Sequence, residues 1–407
     1  MSKVVDYFLK YVAFDTQSAE DAGTVPSTEK QFALAKLLSE QLKNIGVKEV
    51  SMSEHGYVYG TIPANGDYNC QTVGFLAHMD TSPDCPDENV RPQLVKHYDG
   101  KDITLNKALG VKMTTKMFPF LKNYVGQDLI TTDGTTLLGA DDKAGIAEIM
   151  TMAEALIKEN IPHGPISIAF TPDEEVGGGT DHFNVEKFGA QFAYTLDGDT
   201  EGEIQYENFN ACKADFEITG FAVHPGSSKD TMINACLVAA EINNMLPGLE
   251  IPRETEDYEG FYHLTGMSGD VAKAELHYIV RDHDKNLFEA RKETLRHIEK
   301  NLNEKWGEGT VKLMITDQYQ NMAEIIAGCM HLIENAKKAC ENAGVAPLVL
   351  PIRGGTDGCQ LSFMGLPCPN LGTGGHAFHG PYEHITAEGM DKAVDIAVEL
   401  VKLYAEM

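Results

Sequence analysis

The stretch Leu138-Gly139-Ala140-Asp141-Asp142-Lys143-Ala144-Gly145 places two adjacent carboxylates between an apolar, β-branched approach and a helical run. From Ala144 to about Ile157 the apolar residues recur at 146, 149, 150, 153, 156 and 157, which lie on one face of a helix. Acidic residues often begin helices, because they cap open N–H groups and complement the helix dipole. Taken alone, Asp141 and Asp142 are therefore either helix caps or functional groups.

Three short apolar runs are typical of strands that are buried on both faces, and each ends in acidic or histidine residues. They are Val73–Ala77 before His78-Met79-Asp80, Ile166–Phe170 before Thr171-Pro172-Asp173-Glu174-Glu175, and Phe192–Leu196 before Asp197-Gly198-Asp199. Open α/β sheets place their sites at the carboxyl ends of strands. The sequence therefore predicts that these groups converge with Asp141, together with His379 from a glycine-rich stretch near the C-terminus.

The composition is that of an ordinary globular chain of 407 residues, 43% hydrophobic and 23% charged, which is long enough for two domains. A formal charge of −28 argues against partners that need basic patches, so we expect neither nucleic acid nor a membrane surface. There is no apolar run of about 18 residues and no signal-peptide core. Eight scattered cysteines without C-x-x-C indicate reduced thiols, so we expect a cytoplasmic protein.

The order of predicted elements indicates an α/β catalytic domain with an inserted second domain. Residues 1–207 and 320–407 would form the catalytic domain, a mixed, largely parallel sheet flanked by helices. Residues 208–319 read as strand, helix, strand, strand, helix, strand, which is the βαββαβ order of a ferredoxin-like unit. Residues 81–128 are polar and lack clear periodicity, and we expect them to form an insertion near the mouth of the site.

Two imidazoles and five carboxylates make up the predicted cluster, which favours a transition-metal centre. Its members are His78, Asp80, Asp141, Glu174, Glu175, Asp197 and His379. Nitrogen and oxygen donors together suit zinc, cobalt or manganese better than calcium or magnesium. Two histidines and three carboxylates suffice for two ions about 3.5–4 Å apart, which would lower the pKa of a shared water to about 7. A carboxylate outside the ligand set would take the proton of that water, and the residues alone leave open which of Glu174 and Glu175 does so.

The chain resembles the M20 family of co-catalytic zinc peptidases over essentially its whole length. The matching pieces are His78–Asp80, Gly139–Lys143, Thr171–Gly177, Leu196–Gly198 and Phe378–Gly380, and outside the cluster residues 207–211, 223–226, 258–264 and 352–358. The resemblance implies a zinc-peptidase catalytic domain with the smaller domain as a lid. It also implies two Zn²⁺ per subunit, with Co²⁺ or Mn²⁺ as substitutes.

The resemblance further implies a role for each member of the cluster. Asp141 would bridge the two ions. His78 and Asp197 would bind one of them, and Glu175 and His379 would bind the other. Glu174 would be the general base and acid, and Asp80 would orient His78. The peptide bond between the two adjacent aspartates is cis in that family. His376 is expected to be structural.

The resemblance also gives four candidates for contacting the substrate, three in the predicted lid and Arg353 in the second part of the catalytic domain. They are His224, as the oxyanion stabiliser, and Asn234, Arg281 and Arg353, as groups that grip the peptide, because the fork of a guanidinium matches a carboxylate. Their structural alternatives are a helix asparagine, a sheet-surface arginine and a loop-bracing arginine.

The leading prediction is an enzyme, a dizinc aminopeptidase that removes the N-terminal residue from tripeptides. One alternative is another amidohydrolase of the same family, a dipeptidase or an N-acyl amino acid deacylase. The other is a non-catalytic metal-binding protein, which would not need Glu174 or Asp80. A short peptide is the expected partner, and a homodimer stays open because some members of the family dimerise through the lid.

Overall fold

The computed structural model describes residues 2–406, which divide into two compact units. The first comprises Met1–Tyr206, Glu324–Leu350 and Thr356–Met407, and the second comprises Glu207–Ala323 and Pro351–Gly355. Residues 351–355 belong to the second unit, whereas the predicted boundaries placed them in the catalytic domain. They contact the second unit directly, because Ile352 forms a β-bridge with Asn208 and Arg353 donates hydrogen bonds to the carbonyls of Asp257 and Glu259.

Residues 2–206 contain four α-helices and ten strands. The helices are α1 (Lys3–Tyr11), α2 (Gln31–Ile45), α3 (Ala140–Lys158) and α4 (Val185–Phe188). The strands are β1 (Lys48–Met52), β2 (Val58–Ile62), β3 (Val73–His78), β4 (Gln93–Val95), β5 (Ile103–Asn106), β6 (Val111–Met113), β7 (Leu129–Thr131), β8 (Ile166–Thr171), β9 (Phe192–Gly198) and β10 (Glu203–Gln205). The predicted strands β3, β8 and β9 thus begin where expected and extend one or two residues further.

The second unit has the predicted order of strands and helices. Its elements are β11 (Asn210–Thr219), α5 (Ala235–Met245), β12 (Phe261–Gly269), β13 (Lys273–Asp282), α6 (Lys285–Trp306) and β14 (Val311–Tyr319). The strands form one antiparallel sheet in the order β12-β13-β11-β14. Alternate residues of β11 and β13, such as Phe216 and Leu276, are buried in a core with apolar side chains of α5 and α6, such as Val238 and Leu295. This period-two pattern is what a sheet covered by helices on one face requires.

After Ala323 the chain returns to the first unit, apart from residues 351–355. The elements of this last part are α7 (Ala323–Ile326), α8 (His331–Asn342), β15 (Leu348–Val349), α9 (Asp357–Phe363), β16 (Asn370–Gly372), β17 (Gly375–His376), β18 (His384–Thr386) and α10 (Ala387–Ala405). The main sheet has eight strands in the order β1-β2-β8-β3-β9-β16-β10-β15. Its central strands β8, β3, β9 and β16 are parallel, so their carboxyl ends share one edge. No helix of residues 2–406 is long and apolar enough to cross a membrane.

Residues 81–128 are more regular than their sequence suggests. Strand β4 pairs with β7, β5 and β6 form a hairpin, and Pro119–Tyr124 is a 3₁₀ helix. The segment has a small core of its own that includes Tyr98, Met113 and Leu121. Its strands have only three or four residues each, which is too short for an alternating pattern to be recognised.

The start of α3 contains a kink. The element begins at Ala140, but Asp141 (φ −85°, ψ 104°) and Asp142 (φ −122°, ψ 37°) are not helical, so the regular helix follows the acidic pair, as expected from the periodicity that begins at Ala144. The peptide bond between them is cis. The side chain of Asp142 accepts the N–H of Gly145 at 3.1 Å, as a helix cap does. Each of the two alternatives, helix cap and functional group, therefore applies to one aspartate. Asp142 caps the helix, and Asp141 is available to the candidate site.

Candidate metal centre

The ends of the parallel strands bring the predicted ligands together in the first unit. One group consists of His78, Asp141 and Asp197, whose ligand atoms lie within 4.8 Å of one another. The other consists of Asp141, Glu175 and His379, again within 4.8 Å. Asp141 belongs to both groups, so the arrangement could hold two adjacent ions that share one carboxylate.

His78 ends β3, and its side chain is 2% exposed. Its Nε2 lies 2.8 Å from Oδ1 of Asp141 and 3.5 Å from Oδ1 of Asp197. Its Nδ1 lies 3.1 Å from the carbonyl oxygen of Asp80 and 3.4 Å from the Asp80 carboxylate. A proton on Nδ1 would fix the tautomer that leaves Nε2 for a metal ion, which is the usual role of an outer partner of a ligating histidine.

Asp141 touches an imidazole on each side. Its Oδ1 faces His78, and its Oδ2 lies 3.2 Å from Nε2 of His379. His379 is held at a positive φ of 61° and also lies 3.0 Å from Oε2 of Glu175. Burial opposes the charge on this imidazole, but the carboxylates of Asp141 and Glu175 raise the pKa of His379 to about 11.

Glu174 and Glu175 lie on a 3₁₀ turn, Glu174–Val176, directly after β8. Asp80 holds this turn, because its two carboxylate oxygens accept the N–H groups of Glu174 at 2.9 Å and of Glu175 at 3.2 Å. Asp80 is fully buried and so connects the backbone of the turn to His78. The structure therefore gives Asp80 a second contact that its spacing from His78 did not suggest.

The charges of the cluster favour divalent cations. Burial and the neighbouring charge of Asp141 raise the pKa of Glu175 to about 8, and burial raises the pKa of Asp197 to about 6. Burial together with Asp197 also raises the pKa of Glu174 well above its ordinary value. Such crowding of buried carboxylates is unfavourable unless positive charge balances it. The mixed nitrogen and oxygen donors and their buried negative charge fit two ions of the zinc type.

Three further buried charged residues support the cluster, although the sequence did not single them out. Glu383 accepts hydrogen bonds from the backbone around Asp141. Asp357 accepts the hydroxyl of Thr171 at 2.7 Å, and burial raises its pKa to about 7. Lys143 donates to the carbonyl of Phe14 at 2.8 Å, and burial lowers its pKa to about 8. Lys143 and Asp357 both lie in motifs that match the family, Gly139–Lys143 and residues 352–358, and these motifs were the available signals.

The four residues predicted to contact substrate lie in the second unit. His224 is exposed and caps the 3₁₀ turn Pro225–Ser227, and Asn234 caps α5. Arg281 is buried and donates to the carbonyls of Cys212 and Val280.

Arg353 is the most extensively bonded of the four. Its guanidinium binds the carbonyls of Asp257 and Glu259 and the side chain of Thr255, and it lies over the ring of Phe209. These contacts match the loop-bracing alternative. A role in substrate binding stays a prediction for all four residues.

His376 lies in a cluster of rings instead of among the ligands. Its Nε2 is 2.5 Å from the hydroxyl of Tyr124, and its ring packs against Phe120 and His384. Burial, with the neighbouring His384, lowers the pKa of His376 to about 3. A neutral, hydrogen-bonded histidine in an aromatic cluster matches the structural role that we expected.

Comparison with known proteins assigns the chain to a family. The family described as Peptidase family M20/M25/M40 matches residues 134–403. The chain is 54% identical over 407 residues to Peptidase T of Clostridium novyi (strain NT), covering 100% of both chains. It is also 54% identical to Peptidase T of Caldanaerobacter subterraneus subsp. tengcongensis, again over 100% of both.

Solved structures with the same fold include three peptidases. Aminopeptidase PepT from Bacillus cereus ATCC 10987 gives a TM-score of 0.79 at 25% identity, covering 99% of this chain and 98% of that one. A tripeptidase from Staphylococcus aureus subsp. aureus Mu50 gives 0.78 at 20% identity over 100% and 98%. A dinuclear metal binding peptidase from Bacillus subtilis gives 0.67 at 14% identity over 99% and 98%, which is a likeness of fold.

Proposed function

Since the chain belongs to peptidase family M20/M25/M40 and is a metallo-aminopeptidase similar to peptidase T, we propose that it removes the N-terminal residue from tripeptides with two zinc ions. The observation that carries the proposal is the pair of ligand groups joined by Asp141. Membership of a peptidase family supports an enzyme over the non-catalytic alternative.

Two residues besides the shared aspartate would hold each ion. His78 and Asp197 would bind one, and Glu175 and His379 would bind the other. When bound, the ions would supply Lewis acidity, which lowers the pKa of the attacking water and polarises the carbonyl of the scissile bond. Cobalt or manganese would offer the same chemistry with the same donors.

Glu174 would move the proton. It lies on the same turn as Glu175 but belongs to neither ligand group, so its carboxylate would be available to a water instead of an ion. As general base it would take a proton from the water that attacks the scissile carbonyl, and as general acid it would give that proton to the departing amine. Burial and the nearby charge of Asp197 raise the pKa of Glu174 well above its ordinary value, which favours a carboxyl group that can hold a proton.

The second unit would bind the rest of the substrate. His224 would stabilise the oxyanion, and Asn234 would bind a polar group of the peptide. Arg281 and Arg353 are each anchored through backbone carbonyls, which would hold their guanidinium planes ready for the carboxylate of a short peptide. The cytoplasmic location and the homodimer stay predictions.

A substrate panel tests the proposal against the remaining alternative, another amidohydrolase of the family. The zinc-loaded protein is assayed with one tripeptide, the dipeptide of its first two residues, a tetrapeptide extended at its C-terminus and an N-acetylated amino acid. We expect kcat/KM to be highest for the tripeptide, with release of its first residue. Preferential cleavage of the dipeptide or of the acylated compound would contradict the proposal.

A further inference from the structure

Glu383 accepts three backbone hydrogen bonds from the loop that carries the shared ligand. Its Oε2 accepts the N–H of Leu138 at 2.6 Å and of Gly139 at 2.9 Å, and its Oε1 accepts the N–H of Asp141 at 3.0 Å. The residue is 1% exposed. Both oxygens of this buried carboxyl group are therefore occupied by backbone N–H donors of one short loop.

The loop needs such a partner because its backbone is irregular. Gly139 has a positive φ of 80°, and Asp141 is not helical. The first N–H groups of a helix have no intrahelical acceptor, and a buried N–H without a partner is costly. Leu138 and Ala140 are fully buried, so water does not serve this stretch. Glu383 therefore supplies acceptors that the fold cannot supply locally.

The segment of residues 379–383 contacts Asp141 at two points, the carboxylate and the backbone N–H. His379 reaches its carboxylate, at 3.2 Å from Oδ2, and Glu383 reaches its backbone N–H. Glu383 directly precedes β18, which pairs with β7, so both ends of the loop are tied to the same small sheet. The position of the Asp141 carboxylate between His78 and His379 thus depends on a residue that contributes no atom to the ligand groups.

We propose that Glu383 is a positioning residue, which holds the backbone of Asp141 so that its two carboxylate oxygens can serve two metal ions. The inference rests on the proposed function, because it assumes a dinuclear centre. The inference goes beyond that function because it makes the metal affinity of the centre depend on Glu383, which contacts only backbone N–H groups of the loop. Outer partners of metal ligands change metal affinity by about 10–100-fold when they are removed.

The variant Glu383→Gln tests this role with little change in volume. Its amide keeps one oxygen but directs an NH₂ group at a backbone N–H, so at least one of the three bonds is lost. The matched control is Glu148→Gln, in α3. Glu148 is fully buried, and neither of its carboxylate oxygens has a hydrogen-bond partner within residues 2–406. The control therefore makes the same change to a buried carboxyl group without touching the loop.

The experiment measures zinc binding by the chelator-treated proteins, by titration against a chromophoric chelator. Wild type and Glu148→Gln should bind two ions per chain, and Glu383→Gln should bind at least one of them about tenfold or more weakly. Circular dichroism of the metal-free proteins checks that each is folded. Fewer than two ions on wild type would refute the dizinc function itself. Two ions on wild type, with equal affinity in Glu383→Gln and Glu148→Gln, would overturn the inference alone.

If Glu383→Gln does not fold, Glu383→Asp decides the question. Aspartate keeps the charge and both oxygens but is shorter by one methylene, so its bonds to the loop are stretched. We expect a folded protein whose weaker zinc site has lost several-fold in affinity. Affinity equal to that of wild type in this variant would overturn the positioning role.

Discussion

Oδ2 of Asp142 accepts the backbone N–H of His78 at 3.1 Å, which joins the start of α3 to the end of β3. Asp142 is almost completely buried, and its other oxygen caps the helix at Gly145. The second aspartate of the pair therefore fixes the main chain of His78, a proposed metal ligand, while the first presents its carboxylate to the candidate site. Two neighbouring carboxylates thus have separate tasks, and their substitutions should have separate effects.

Replacing Asp142 with Asn should destabilise the metal-free protein. The amide can accept only one of the two N–H groups, and a buried donor without a partner costs about 1–3 kcal/mol. Urea unfolding in excess chelator would measure the loss. Asp67, which is exposed, provides the control, and Asp67→Asn should unfold like wild type. Equal unfolding free energies for Asp142→Asn and wild type would show that the two bonds contribute nothing.

Replacing Glu174 with Gln should separate turnover from metal binding. The amide cannot take a proton, and loss of general base catalysis typically costs about 10²–10⁴-fold in rate. Because Glu174 belongs to neither ligand group, the zinc content should remain near that of wild type. Steady-state kinetics and elemental analysis on the same preparation check both statements. Turnover at the wild-type rate would rule out the assigned role.

Asp173 precedes Glu174 but should matter for stability rather than for rate. Its carboxylate accepts the N–H of Ser27 at 2.6 Å and the amide of Gln31 at 2.6 Å, so it faces away from the ligands. Asparagine tolerates the positive φ of 58° at this position, so Asp173→Asn should keep the backbone conformation. The substitution removes the carboxylate that makes these hydrogen bonds charge-assisted.

We expect a lower unfolding free energy for Asp173→Asn, by about 1–2 kcal/mol, and a kcat within a few-fold of wild type. Thermal unfolding and kinetics under identical zinc concentrations provide the comparison. A loss of kcat as large as that of Glu174→Gln, with unchanged stability, would mean that Asp173 takes part in the chemistry.

Glu154 should stabilise the fold in a pH-dependent way. Burial opposes its charge, but contacts with Lys158, Tyr7 and Lys3 lower its pKa to about 2. Since the folded pKa lies below the ordinary value of 4.5, the stabilisation is fully present above pH 4.5 and is lost as the pH falls toward 2.

The difference in unfolding free energy between wild type and Glu154→Gln should be at most about 3 kcal/mol at pH 7. It should shrink steadily when denaturant unfolding is repeated at lower pH. Comparing the two proteins cancels the titration of all other groups. A difference that stays constant down to pH 2 would contradict the low pKa of Glu154.

Removing metal should abolish activity and lower the melting temperature together. Crowded carboxylates such as Glu175 and Asp197 are left unbalanced without cations, and each ion at 100 times its Kd stabilises the folded state by about 2.7 kcal/mol. Adding zinc back should restore both properties. Full activity after exhaustive chelation, with metal content measured near zero, would refute a metal-dependent mechanism.

Much of the architecture could be predicted because buried parallel strands have continuous apolar sequences. The strands ending at His78, Thr171 and Gly198 were located within two residues, and their shared edge follows from parallel pairing. The M20 family and the class of fold were likewise recognisable from motifs spread along the chain. The regular part of α3 was located correctly from its periodicity, but no such pattern reveals the non-helical turn of Asp141 and Asp142 in front of it.

The supporting residues of the site were harder to predict, for a physical reason. Glu383 binds backbone N–H groups, which every residue type except proline carries, so no sequence pattern identifies its partners. Asp357 lies far along the chain from Thr171, to which it is bonded, and only the fold brings the two together. The second contact of Asp80, to the turn of Glu174, is hidden in the same way.

The spacing of His379 and Glu383 also limits where the chain can change length. Both residues contact Asp141 from a single stretch of chain. A residue inserted or deleted between them would therefore break one of the two contacts. The hairpin of β5 and β6 is under no such constraint, since residues 107–110 at its tip are exposed. A reporter peptide or affinity tag placed inside this chain therefore belongs at that tip, while the stretch from 379 to 383 has to keep its length.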